Sequence, residues 1–293
     1  MDLLKDYLEF HKKQSYSTDM DPAYPVLKEI ITALKLSKEQ GVWLTFVYVA
    51  YYHIGSALKV FEQYPEPFLF QDKFYKLPCA TERRNHRQVK NLERHIKHIV
   101  DKAQWNDGLD NWLSEDLCLH PKMNWELIQD KLLSIWGNGR WASYKTGEVL
   151  WKVNGYNLEA TDMGHAHSSG PRKGLELLFP SIPTGNSALE VKKLNMLSEK
   201  LVRFMNDKGY KATIETAETS LCDFNSMFKG KYYTGIDIDH MQEDLLQVPS
   251  IYTDLAFESR KKHIPNEYLG ELNGWIGVRK EKKKQYAVEQ IRN

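Results

Sequence analysis

Gly137-Asn138-Gly139 constrains the fold of this chain more than any other stretch. It separates two segments with helical spacing, NWELIQDKLLSIW (124–136) and RWASYKTGEVLWKV (140–153). Glycine has no Cβ, so the backbone can turn there through positive φ. A turn this short predicts two helices packed on each other, with Gly155 as the C-terminal cap of the second. The N–H groups that open the second helix face outward, and such a terminus attracts phosphate. Arg140 and Lys145 add positive charge and are expected to hold a nucleic-acid strand. An ordinary packing corner between helices is the competing interpretation.

The rest of the chain carries the same period. Residues 2–13 and 26–36 have helical spacing, with Pro22 and Pro25 between them. Ser37 and Gln40 form a capping-box pattern. A long apolar helix is then predicted through VWLTFVYVAYYHIGSALKVFEQY (42–64), ended by Pro65 and Pro67. Residues 68–80 read as irregular, 81–103 as a helix, and 104–123 as loop-like. Residues 161–185 are rich in Gly, Ser, His and Pro and read as a polar loop. A helix is expected at 187–208, a short strand or irregular piece at 210–224, and a loop leading into an acidic helix at 240–247. The basic tail, 279–293, is expected to fray. The sum is a mainly α chain with few or no strands, organised as one helical domain over 1–293.

The formal net charge is +1, so any nucleic-acid footprint must come from local clustering. Such clustering exists in TERRNHRQVKNLERHIKHIVDKA (81–103), where Arg83, Arg84, Arg87, Lys90, Arg94 and Lys97 fall close to one broad helical face. That face is either solvated or turned to phosphates. Three widely spaced cysteines without a CxxC pair indicate neither a disulfide framework nor a zinc ribbon, and fit a reducing compartment. The amphipathic, charged N-terminus does not read as a signal peptide. The longest apolar stretch is too short to span a bilayer.

Chemistry concentrates in GHAHSSGPRKG, Gly164 to Gly174. Ser168, Ser169, Arg172 and Lys173 are suited to phosphate oxygens. His165 and His167 can take a proton from an attacking amine or give one to a leaving group. Asp162 stands just before this stretch and either orients an amine or only makes a turn. A metal held by the two histidines and a distant Cys or Asp lacks a recognisable second ligand pair. In FKGKYYTGIDID, Lys229 and Lys231 suit phosphates, and Tyr232 and Tyr233 suit base stacking or a core. Asp237 either receives an ammonium group or, like Asp239, caps the following helix.

IWGNGRWASYKTGEVL resembles the helix-hairpin-helix signature of DNA glycosylases, and Asp162 stands where that superfamily carries an Asp after the hairpin. Four stretches together, WLTFVYVAYYHIGSALKVFEQYP, GNGRWASYKTGEVL, HSSGPRKGLELLF and CDFNSMFKGKYYTGIDID, look like the amino acid:DNA transferases of thymine-hypermodifying bacteriophages. They are also similar to the helical domain joined to hydroxymethyluracil DNA kinases. The likeness spans roughly residues 37–245.

The resemblance implies a glycosylase-like helical fold with its helix-hairpin-helix at about 124–153. It implies an enzyme that replaces an activated phosphate on 5-hydroxymethyluracil in double-stranded DNA with the amine of a free amino acid. It places that enzyme in the cytoplasm of the infected bacterial host, away from membranes. No metal or organic cofactor is required by the sequence. No strand precedes a GxxxxGKS or GxxxxGKT motif, so a P-loop kinase activity is not implied. Two other functions fit parts of the chain. A monofunctional glycosylase uses the hairpin and Asp162 but leaves the His-Ser-Arg-Lys stretch idle. A non-enzymatic DNA-binding protein uses only the basic segments.

Overall fold

The computed structural model describes residues 2–70, 76–83, 85–183 and 185–292. Among them are fourteen α-helices and no strand. They are α1 (Leu3–Ser17), α2 (Ala23–Ala33), α3 (Lys38–Tyr51), α4 (Ile54–Gln63), α5 (Val89–Trp105), α6 (Leu109–Ser114) and α7 (Pro121–Leu133). After these come α8 (Arg140–Lys152), α9 (Gly170–Leu178), α10 (Ala188–Asp207), α11 (Ile214–Phe228), α12 (Ile236–Gln247), α13 (Thr253–His263) and α14 (Lys283–Arg292). The mainly α fold expected from the periodicity is the fold found.

The chain divides into two compact units. One comprises residues 23–159 and 240–263 and holds α2–α8 and α13. Its centre is α3, in which every residue from Gly41 to Tyr51 is buried. A helix that is apolar all round has no solvent face and belongs inside a core. The Ser37–Gln40 capping box is formed: Ser37 Oγ accepts from Gln40 N at 3.2 Å, and Gln40 Oε1 accepts from Ser37 N at 3.0 Å. The single helix predicted over 42–64 is two helices. Tyr52 turns left-handed at φ 47°, and His53 Nδ1 caps the new start by accepting from Ser56 N at 3.1 Å. The helix predicted over 81–103 begins only at Val89, and the segment read as loop at 104–123 contains α6.

The other unit comprises residues 1–22, 160–239 and 264–293 and holds α1, α9–α11 and α14. Its core joins Tyr7 and Phe10 of α1 to Leu175, Leu194, Leu221 and Phe224. The segment 210–224 is helical from Ile214 onward, against expectation. Thr213 and Thr216 make a capping box, and Ala217, Leu221, Phe224 and Met227 recur at helical spacing on the buried side. The tail does not fray as expected. Residues 283–292 form α14, which buries Ala287 and Ile291.

Part of the segment read as a polar loop at 161–185, residues 170–178, is a helix. Gly170 opens α9, and Gly170 and Gly174 let that helix lie directly on α11. A Cβ at Gly174 would stand 2.3 Å from the Leu221 carbonyl oxygen, and one at Gly170 would stand 2.5 Å from Cys222 Sγ. These glycines are close-packing residues, not signs of a flexible loop.

Candidate functional site

The turn between α7 and α8 uses the freedom of one of its two glycines, and Gly139 is extended at φ −92°. Gly137 has φ +87°, and Asn138 Nδ2 donates to the Leu132 carbonyl at 3.0 Å. Gly155 has φ +75° beyond the end of α8. Histidines of α5 grip the turn by its backbone. His95 Nδ1 meets the Trp136 carbonyl at 2.7 Å, and Trp136 N donates to His98 Nδ1 at 3.3 Å. A Cβ on Gly137 would come within 3.1 Å of His95 Nδ1.

Around this turn lie cations, exposed at Arg94 and half-buried at Arg140. Arg94 stacks its guanidinium over the Trp136 ring at 4.3 Å, and Arg140 stacks over Tyr144 at 4.7 Å. Lys90 and Lys97 share the exposed side of α5 with Arg94, and Arg87 is exposed just before that helix. Arg84 lies outside the described residues.

Two cations expected to face DNA are interior instead. Arg83 is 6% exposed. Its Nε donates to the Ala50 carbonyl at 3.3 Å, and its Nη2 reaches the His86 ring at 3.0 Å. Lys145 is also buried and pairs with Glu148 at 2.7 Å, where Glu148 also accepts from Tyr24 Oη at 3.2 Å. Both carboxylate and ammonium are desolvated there, so the pair holds the helices and does not face a strand.

In the other unit, Asp162 half-buries its carboxylate and accepts from Gly164 N, which has φ +65°. His165 is buried, and its Nε2 bonds Ser198 Oγ at 2.7 Å. Arg172 is a clamp. Its Nη2 donates to the His165 carbonyl, and its Nη1 donates to the Gly185 carbonyl at 3.1 Å and to Asn186 Oδ1 at 2.7 Å. Those donors serve the protein's own oxygens, so the phosphate role expected for Arg172 gives way to a structural one. His167, Ser169 and Lys173 stay exposed beside the half-buried Ser168. Ser169 is the N-cap of α9, and its side chain makes no capping bond.

Lys229 and Lys231 are exposed and flank Gly230 (φ +66°), which lies against the first turn of α14 at Lys284. Tyr232 and Tyr233, expected to stack a base, are core rings. They are 3% and 6% exposed, and their hydroxyls are donated to Asp19 and, at 2.6 Å, to Asp239. The helix expected at 240–247 starts earlier, at Ile236, and is capped from a distance. Asp19 accepts from Gly235 N at 2.7 Å, Asp237 N at 3.0 Å and Ile238 N at 3.2 Å. Burial first, and the nearby Asp237 second, push the Asp19 carboxyl up to about 7 against the opposing pull of these donors. Asp237 and Asp239 therefore sit inside the first turn of α12, and neither caps it. Asp19 and Ser198 carry no local sequence signal for these roles, because each acts through a partner distant in the chain.

Against known families, residues 15–233 of the 293 match the model described as amino acid:DNA transferase. The chain belongs to the amino acid:DNA transferase family. It is thus an enzyme, a transferase that acts on DNA with an amino acid as its second substrate. No curated protein matches the chain. Among the described residues of this transferase, no helix is long and apolar enough to cross a membrane. Nor do three His, Cys, Asp or Glu side chains gather as a metal would need.

The seat beneath the transferase's hairpin has a pH signature. Burial first, then Arg83, lowers His86 from 6.5 to about 4, and His95 is pushed down by the same two causes. The stability tied to a neutral His86 is present above 6.5 and is lost as pH falls from there through about 4. Asp244, raised by burial from 3.8 to about 7, works in the opposite sense: its share is present below 3.8 and lost as pH rises to about 7. The wild-type curve mixes both, so a difference isolates the histidine. The urea midpoint of wild type should exceed that of His86→Gln at about pH 7.5, and the gap should narrow by about pH 4.5. A gap independent of pH would contradict a buried neutral His86.

Proposed function

We propose that this transferase displaces an activating phosphate or pyrophosphate from a 5-hydroxymethyluracil base in phage DNA, using the amine of an amino acid. The amine nitrogen donates its lone pair to the methylene carbon. The carbon–oxygen bond to phosphate breaks, the phosphate leaves with the electron pair, and the nitrogen loses a proton to a base. The 5-substituent must meet a second substrate, so the base leaves the stack.

The observation that carries this reading is the composition of the clamped segment from Asp162 to Lys173. Arg172 holds its backbone, while His167, Ser169 and Lys173 remain on the surface. Lys173, Ser168, Ser169 and the N-terminus of α9 receive the leaving phosphate, whose charge grows in the transition state. His167 takes the amine proton, and Asp162 or Asp237 orients the amine once it has reached the base. His165, bonded to Ser198, holds the segment from inside. The turn at Gly137, with Arg140, Arg94 and Arg87, contacts the DNA backbone, as do Lys229 and Lys231. The hairpin fits a helix-hairpin-helix that holds a strand, and the surrounding helices fit a glycosylase-like scaffold. Such a protein works in the cytoplasm of an infected cell.

Two variants test the roles. Lys173→Ala should slow transfer by about 100-fold, the effect of losing one charge at a leaving oxyanion. His167→Ala should slow it by about 100-fold as well. Both should bind DNA as wild type does. Transfer at wild-type rate in both would remove this segment from the chemistry. Release of a free base by wild type would favour a glycosylase.

A further inference from the structure

The amino acid needs a place to bind, and one cleft borders the segment just described. It has a volume of about 520 Å³ and is lined by Ala166 and by the side of α10 that carries Val191, Lys192, Asn195, Met196 and Glu199. Ala166 lies between His165 and His167. The cleft also meets Asn186, the residue whose amide oxygen accepts from Arg172 at 2.7 Å.

The polar groups of this cleft are ordered by charge. Asn195 Oδ1 is buried and has no hydrogen-bond donor. A buried acceptor without a donor is costly, so it fits a ligand that brings an N–H. Lys192 stands about one helical turn before it and Glu199 about one turn after, near 4.5 and 6 Å along the axis. A cation and a carboxylate on either side of an unmet acceptor match a zwitterion. Glu199 also lies 3.8 Å from Arg203, and its side chain stays 55% exposed. Val191 and Met196 offer an apolar wall.

We infer that this cleft binds the free α-amino acid, its carboxylate on Lys192 and its ammonium between Asn195 and Glu199, next to the histidine-bearing segment. The inference rests on the transfer reading above for the fate of the amine, but the binding itself can be measured without DNA.

The test is equilibrium dialysis of the full chain against an equimolar mixture of the twenty uniformly ¹³C-labelled amino acids, read by mass spectrometry. One or a few amino acids should be enriched on wild type. Enrichment should fall by about 10- to 100-fold in Lys192→Met and in Glu199→Gln, as expected for loss of one charged hydrogen bond. Both side chains are exposed, so the variants should keep the wild-type circular dichroism. No enrichment on wild type, or enrichment kept in both variants, would overturn the site. In a parallel transfer assay, both variants should raise the KM for the amino acid more than they lower kcat. Transfer with unchanged KM in both would sink the cleft and leave the transfer reading standing. Enrichment at the cleft with no transfer to DNA would do the reverse.

Discussion

Replacing Arg172 with alanine should abolish most amine transfer while leaving DNA binding nearly intact. The guanidinium ties together the His165 carbonyl, the Gly185 carbonyl and Asn186 Oδ1, three acceptors from two separate stretches of chain. Arg172 is 8% exposed, so water cannot simply take its place. The buried His165 carbonyl left without a donor costs about 1–3 kcal/mol. The segment would relieve that cost by moving, and His167 and Lys173 would move with it. A displacement of about 1 Å at reacting groups is worth about 100-fold in rate. Arg172→Lys should recover little, because an ammonium cannot fork toward three fixed oxygens. The exposed cations around Gly137 belong to the other unit and are untouched, so affinity for DNA should change little. Transfer rates for the variants, set beside DNA dissociation constants, check this. A fully active Arg172→Ala would show that the clamp is dispensable.

Gly174→Ala should strongly destabilise the protein with a single methyl. The added carbon would sit 2.3 Å from the Leu221 carbonyl oxygen and 2.8 Å from its carbon, both backbone atoms of α11. A flexible side-chain tip could swing aside, but a helix backbone cannot. Overpacking of this kind costs about 1–3 kcal/mol and sometimes more. The gap it forces opens beside Leu175, which is fully buried in the core that joins α9 to α11. Gly139→Ala is the control. Its backbone is extended at φ −92°, ψ 178°, and nothing lies within 4 Å of a Cβ there. Calorimetry should give a Tm several degrees lower for Gly174→Ala and unchanged for Gly139→Ala. Equal Tm values for all three proteins would mean α9 does not lie against α11 as described.

Gly174 also shows where the sequence misleads. A run of Gly, Ser, His and Pro reads as a loop, because these residues usually serve turns. Here Pro171 occupies the first turn of a helix, which tolerates it, and two glycines four apart allow backbone contact. Pattern alone does not separate a glycine that bends from a glycine that packs. Thr213 to Thr219 raised a similar ambiguity, since threonine favours strands. The helical spacing of Ala217, Leu221 and Phe224 and the Thr213–Thr216 box were in the sequence to be weighed against it.

The signals that did hold were local. Ser37 with Gln40, and Gly137, specify a helix start and a turn through neighbouring atoms only. Lys145 and Arg83 were legible as cations but not as buried ones. Their partners, Glu148 with Tyr24 and the His86 ring, depend on packing between helices. Tyr232 found Asp19 across most of the chain for the same reason. The exposed cations and the reactive segment were thus readable as chemistry, and their burial was not.

The measurement to make first is mass spectrometry of nucleosides. Duplex DNA carrying phosphorylated or pyrophosphorylated 5-hydroxymethyluracil would be incubated with the wild-type protein and a mixture of amino acids, then digested to nucleosides. A new nucleoside heavier than thymidine by one amino acid less two hydrogens, with phosphate or pyrophosphate released in equal amount, is the expected result. Recovery of the activated nucleoside unchanged, or its loss as a free base with an abasic site left in the strand, would contradict amine transfer by this chain.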